Sequence, residues 1–280
     1  MSGKVFLFNA HGFAIGGRIT QPYQAELGSH AATSLPIVGG TASAESSNYN
    51  FKHLVSYRSA RTHISGIKGE DGSHNTSVSC AVEGLNILDV ITADAVIGRL
   101  SSRHNGVDEP EIIPLGSSFV NLKIAGQPVE VELDDDLFAR HKTYSTLLDH
   151  YQHQRSSSKV KAPKNAPAKV RYLWNGVDSD IPAKLDKGML APTGTGWEHS
   201  HGVLHSSLVK SVRTAKSTVS LQELPYGYAI HIPHFGSVYL AELFCSADTK
   251  RLTMLRVELG SPVVGSLAVT GPVTNGNWYP

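Results

Sequence analysis

The sequence predicts a mainly β, antiparallel, sandwich-like protein, either one sandwich or two stacked β halves, with one inserted α-helix at about 135–153. Three observations carry this. Short runs of alternating or β-branched apolar residues recur along most of the chain, bounded by Gly, Pro, Asn-Gly and Asp-Gly punctuation. Charged residues make up 18% of the 280 positions, below the roughly 25% of an average soluble protein. Only one stretch carries a convincing helical stripe, and a chain of this length can bury a sizeable core.

From the N-terminus, residues 4–20 read as two short strands. Phe6, Phe8 and Ala10 alternate with Leu7 and Asn9, and Gly16-Gly17 breaks the pattern. Residues 21–50 are rich in Ser, Ala and Gly and read as a long loop, with an edge strand near 35–38. Residues 51–68 alternate clearly, and Glu70-Asp71-Gly72-Ser73 is a hairpin turn. Val78, Cys80 and Val82 share one apolar face. The next segment, 87–100, contains Val90, Ile91, Thr92, Val96 and Ile97, so it reads as one longer strand. Residues 119–131 continue as a hairpin around Ala125-Gly126.

Leu137, His141, Tyr144, Leu148 and Tyr151 lie on one helical stripe, with Leu147 beside it. Asp134, Asp135 and Asp136 precede it, where acidic side chains cap free amides and oppose the helix dipole. Residues 155–169 hold five basic residues, two prolines and no acid, and read as an exposed linker. The expected organisation is therefore a β domain with a C-terminal helix at 1–154, a linker at 155–169, and a second β domain or half at 170–280. In that second half, Val170 to Trp174 ends at the turn signal Asn175-Gly176, 182–196 is loop, and strands follow from 198 to the aromatic end Trp278-Tyr279.

The net charge of +1 argues against a general nucleic-acid binder. No stretch approaches the 18 or so apolar residues of a membrane span, and the apolar run at 5–8 is too short for a signal-peptide core. The chain as written then reads as cytoplasmic, or as extracellular or surface-bound if it is a mature form or is released by lysis. No nucleophile elbow, phosphate loop or dinucleotide fingerprint is present. Cys80 and Cys245 both fall in expected strands and are read either as two buried thiols or as a disulfide tying the halves together, which requires an oxidising compartment.

Two kinds of candidate site remain. His199 and His201 would share one face of a strand, and His231 and His234 lie in another expected strand, so these four are candidate ligands for a divalent metal. The pair is similar to cupin-type sites but lacks the carboxylate expected a few residues on, since Gly202-Val203-Leu204 stands there. Trp174, Trp197, Tyr226, Tyr228 and Trp278 are candidate binding aromatics for sugar faces or protein interfaces.

The phrase 84–96, GLNILDVITADAV, followed by GSSFVNLKIAG at 116–126, resembles the choice-of-anchor P group of bacterial proteins. The match covers about 84–131. It implies a mostly β, exported or surface-associated protein without catalysis, and the helix and basic stretch at 134–169 depart from it. The leading expectation is a non-catalytic structural or interaction protein that self-associates, or binds a glycan or cell surface, through β faces. A pore-forming β toxin released by lysis and a His-ligated, cupin-like metal enzyme are the alternatives.

Overall fold

The computed structural model describes residues 4–106, 108–114, 116–157, 169–174, 177–182, 197–200, 202–214, 220–224 and 227–279. The first half forms β1 (Val5–Gly12), β2 (Ile15–Gln21), β3 (Ala25–Glu26), β4 (Thr33–Ser34), β5 (Gly40–Phe51), β6 (Val55–Lys68), β7 (His74–Ile87), β8 (Ile91–His104), β9 (Glu111–Pro114), β10 (Ser118–Val120), β11 (Lys123–Ile124) and β12 (Gln127–Leu133). Two helices follow, α1 (Leu137–Arg140) and α2 (Tyr144–Ser157). Then come β13 (Lys169–Trp174), β14 (Val177–Pro182), β15 (Trp197–Ser200), β16 (Val203–Ser207), β17 (Val209–Thr214), β18 (Ser220–Leu224), β19 (Gly227–Ile232), β20 (Gly236–Cys245), β21 (Lys250–Leu259), β22 (Val264–Val269) and β23 (Val273–Tyr279).

The fold is mainly β and antiparallel, as expected. A nine-stranded sheet runs β17-β12-β11-β8-β7-β6-β5, with β9 and β10 beside β8; a twelve-stranded sheet runs β15-β16-β20-β21-β22-β2-β3, with β1, β4, β18, β19 and β23 joined to it. The long strands β6, β7 and β8 alternate strictly over most of their length. Val78, Cys80 and Val82 face inward with Ile64, Ala60 and Leu100, while Ser77, Ser79 and Ala81 face out. The inward face packs on β1, β21 and β23. Small residues mark the closest crossings: a side chain at Gly12 would run into Cys80 and Val78, and one at Gly98 into Thr270 and Met254.

Strand pairing crosses the boundary expected at 155–169. β1 pairs β23, β2 pairs β22, and β12 pairs β17. The main core likewise mixes Val82, Ile91 and Val96 with Leu240, Met254 and Leu267. The two sheets therefore do not follow the 1–154 and 170–280 division, because the N-terminal strands complete the sheet of the second half. α2 runs into the expected linker as far as Ser157, and 158–168 lie outside the described residues.

Several local expectations are corrected. The expected loop at 21–50 holds all but the last residue of the twelve-residue β5, and 35–38 is not a strand. The expected strand 87–100 is the end of β7, a tight turn and the start of β8. Leu88 and Asp89 take left-handed φ values of 55°, and Asn86 holds the turn by accepting from the Asp89 N–H at 2.8 Å while its amide donates to the Asp89 carboxylate at 2.6 Å. Gly16 and Gly17 lie inside β2 instead of breaking it; a Cβ at Gly17 would stand 2.3 Å from the Ser266 carbonyl, so the glycine permits close approach of β22.

The single helix expected at 135–153 is interrupted at 141–143, where the Lys142 carbonyl accepts a 2.6 Å bond from the Ile112 N–H. Asp136 makes no side-chain cap; instead Thr143 and Thr146 cap α2 reciprocally, each hydroxyl accepting from the other's backbone N–H at 3.2 and 3.1 Å. Asp134 is engaged by Arg140 at 2.7 Å. Within the stripe, Leu137, Leu147 and Tyr151 are buried and His141 stacks on His150. The hairpins expected at 70–73 and around Ala125-Gly126 are present. β13 and β14 form a separate ribbon in which Trp174 pairs with Val177; Asn175, Gly176 and the loop expected at 182–196, beyond Pro182, lie outside the described residues.

Candidate functional site

The expected metal set is not brought together. His231 is half-buried in β19, with its Nδ1 3.4 Å from the Ser237 hydroxyl, and His234 is an exposed turn residue at φ 59°. His199 lies in β15 opposite Leu204, which is opposite Cys245; His231 is opposite Ser237. Eight residues of β20 separate those two anchor points, roughly 26 Å of extended chain, so His199 cannot share an ion with His231 or His234. The His199 side chain and all of His201 lie outside the description. Among the described residues, no group of three or more His, Cys, Asp or Glu is placed to hold a metal.

Of the two readings of the cysteines, buried thiols and a disulfide, the structure shows the first. Cys80 and Cys245 are free, fully buried thiols, one in each sheet, and Cys80 packs in the cluster of Phe6, Phe8 and Ile64 while Cys245 belongs to the main core. Burial pushes both thiols up to about 12. Of the candidate aromatics, Trp278 is half-buried against Phe6 and His74, with ring centroids 5.3 and 5.0 Å away, so it packs the core. Trp174, Trp197 and Tyr228 are placed by backbone only, opposite Val177, Ser206 and Leu240, and Tyr226 lies outside the described residues.

Two buried polar clusters are instead structural. Glu242 and Arg256 form a two-bond pair inside the twelve-stranded sheet, with His205 3.6 Å from Glu242 and Tyr239 beneath the guanidinium at 3.6 Å. Burial works against the Glu242 charge, but Arg256 outweighs it and holds the carboxyl down at about 2. At the other end, His74 and His104 are cross-strand neighbours buried under Phe6, and the His74 Nδ1 and His104 Nε2 atoms have no hydrogen-bond partner. Burial, then the nearby Lys250 and His74, depress His104 to about 4. Glu242, Arg256, His74 and His104 are all buried.

The outer face of β5 to β8 is the broad exposed face of the nine-stranded sheet. Its rungs are polar: Thr41, Ser65, Ser77 and Ser101 form one, and Ser43, His63, Ser79 and Arg99 the next. Ser43 and His63 share a 2.8 Å hydrogen bond. Glu83 gathers Ser59, Arg61 and Arg58 at 2.9, 3.0 and 3.3 Å, and these bonds, the Ser59 hydroxyl first, hold its carboxyl below the usual range. Such exposed pairs contribute little stability, on the order of 0–1 kcal/mol each; they fix side-chain positions on a flat face. These rungs carry no Trp, Tyr or Phe.

A crease crosses this face. The ladder pairing skips Asn48 with Arg58, Tyr57 and Arg58 with Leu85 and Gly84, and Gly84 with Asp94, with no change of register on either side. Gly84 takes φ 63° there, with the Arg58 Cβ only 3.0 Å from where its own would lie. On one side of the crease β5 is strictly regular from 41 to 47. Among the described residues no strand pairs with its outer edge. Sequence reasoning missed this edge because Gly, Ala, Ser and Asn are weak strand formers; the available signal was the small-residue alternation of Ala42, Ala44 and Ser46 against Thr41, Ser43, Glu45 and Ser47.

No helix among the described residues is long and apolar enough to cross a membrane. Residues 6–246 match the model of a family described as a domain of unknown function (DUF8256). No curated protein and no solved structure matches the chain.

Proposed function

The chain belongs to the DUF8256 family, a domain of unknown function, and from that premise we propose that it is a non-catalytic structural protein that associates with itself by strand addition at β5. One observation carries this reading: β5 is a twelve-residue strand at the end of its sheet, and no strand among the described residues pairs with its outer edge. Exposed edges of that length are templates for pairing, and proteins usually blunt them with Lys, Pro or brevity. β5 holds no Lys and no Pro, and Glu45 is its one charge. Main-chain hydrogen bonds would supply the affinity, as in other strand-addition interfaces. The reading does not extend to a glycan partner, because the face offers hydrogen-bonding groups without an aromatic ring to stack on a sugar.

The test is the oligomeric state of the full chain by native mass spectrometry and light scattering. Wild type should be an oligomer, and the Ser43→Lys/Ser47→Lys variant should shift to monomer with an unchanged melting temperature, since both positions are exposed. A wild type that stays monomeric at every concentration overturns the proposal.

A further inference from the structure

We infer that the partner at this edge is a second copy of the chain set antiparallel about a two-fold axis through Ala44, giving a closed dimer. The inference rests on the self-association proposed above and adds its geometry. A head-to-tail assembly needs two long free edges on each copy. The other strands ending the two sheet paths, β3, β15 and β17, are two, four and six residues long. β5 is therefore matched in length only by β5 of another molecule.

The register follows from the strand itself. Its regular segment, 41–47, runs between the turn at Gly39-Gly40 and the unpaired, left-handed Asn48 (φ 54°), and Ala44 is its centre. Pairing about Ala44 sets Ser43 opposite Glu45 of the second copy and Thr41 opposite Ser47, with outward side chains meeting outward ones. A shift of two residues toward Asn48 would set Glu45 against its own equivalent, and like charges directly opposite are destabilising. A shift the other way shortens the regular overlap.

The two ends of β5 differ in a way that favours antiparallel pairing. At its start stand Ile37, Val38 and Ile67, which are 63%, 83% and 59% exposed, far more than apolar side chains of a finished surface need. At its far end is an aromatic corner, with Phe51 and Tyr49 half-buried and Lys52 Nζ 3.6 Å above the ring of the exposed Tyr23. The two-fold brings the aliphatic corner of each copy to the aromatic corner of the other. A parallel arrangement would stack aliphatic on aliphatic and Lys52 on Lys52.

The experiment is site-directed crosslinking of the full chain with a short bismaleimide, using Ala44→Cys and, separately, Asn50→Cys. The native thiols are buried and do not compete. Across the proposed axis the two thiols introduced at position 44 are adjacent, whereas those introduced at position 50 stand about 40 Å apart by the rise of a strand. Crosslinked dimer is expected at Ala44→Cys alone, with a melting temperature confirming that each variant folds. A Val38→Ser variant, conservative to the fold because the side chain is exposed, should weaken dimerisation by about tenfold, which is ~1.4 kcal/mol. Crosslinking at Asn50→Cys as strong as at Ala44→Cys, or ladders beyond dimer, overturns the two-fold. A wild-type dimer without the Ala44→Cys crosslink removes this geometry but leaves self-association standing; a strict monomer removes both.

Discussion

Glu242 and Arg256 meet in the interior of the twelve-stranded sheet through two hydrogen bonds, Nε to Oε2 at 2.6 Å and Nη2 to Oε1 at 2.8 Å, with both side chains under 10% exposed. Arg256 also reaches Glu258 and lies on the Tyr239 ring. Removing Arg256 leaves the Glu242 carboxylate buried with only His205 nearby, and removing Glu242 leaves the buried Arg256 to the more exposed Glu258. Glu242→Gln or Arg256→Met should therefore cost about 3–5 kcal/mol in urea unfolding. The double variant Glu242→Leu/Arg256→Met should recover most of that loss. Equal loss in the single and double variants would show that shape, and not charge, governs this site.

Acid should weaken the fold at His104 before it reaches the carboxylates. The folded state holds His104 at about 4, below the ordinary 6.5, so between those values the unfolded chain binds the extra proton. Stability from this group is complete above pH 6.5, falls as pH drops, and levels off below 4, a contribution of about 3 kcal/mol. His74 and Lys250 face it, and His74 is itself depressed by burial and then by Lys68. His104→Leu should flatten the stability profile across that window. Glu242, held at about 2, loses its contribution only below the ordinary carboxylate range, so the two steps separate in a pH series of denaturant melts.

Both cysteines should resist alkylation in the native protein. The thiolate is the reactive form, and Cys80 and Cys245 are buried and pushed up to about 12. Iodoacetamide at pH 8 should add no mass to native chain and two labels in denaturant without reductant. Labels that appear only after reduction would restore the disulfide.

Gly17→Ala should be among the most damaging single-methyl changes. The added Cβ would meet the Ser266 carbonyl at 2.3 Å and Leu267 at 2.7 Å, and backbone cannot step aside as a flexible side chain would. Overpacking of this kind costs typically about 1–3 kcal/mol. Gly72→Ala has open space for its Cβ and a left-handed φ of 80°, so it isolates the purely conformational penalty. Thermal melts of the two variants should rank Gly17→Ala lower.

β6 and β7 were legible from alternation, and β20 and β21, buried on both faces, from runs of apolar residues instead; all four lie close to where those residues place them. The turn at Leu88-Asp89 was not: Asn86 and Asp89 are turn formers, but the β-branched residues after them read as one longer strand. It is held locally by Asn86 and from outside by the Leu54 carbonyl that accepts the Leu88 N–H at 2.8 Å. The helix break at 141–143 has the same origin, a bond to Ile112 from a distant strand. The β5 edge was hidden for the opposite reason: β5 buries little apolar area, so its only periodicity is a faint alternation of small residues, and its pairing with β6 is a matter of backbone. The buried Glu242–Arg256 pair, with His205 beside it, could not be found by spacing, since charge in a strand reads as solvent-facing until its neighbours are known.

The pairing of β1 with β23 sets how the molecule responds to being pulled. Val5 lies opposite Tyr279, and the rungs continue inward to His11 and Val273. Tension applied at residues 5 and 279 loads these rungs one after another, as in opening a zip, and never all at once in shear. The first segment to part would lift Phe6 and Trp278 off His74 and His104. Attachment at those two positions therefore makes a mechanically soft tether, whereas load passed through the long ladders of β5 to β8 would be borne by many bonds together.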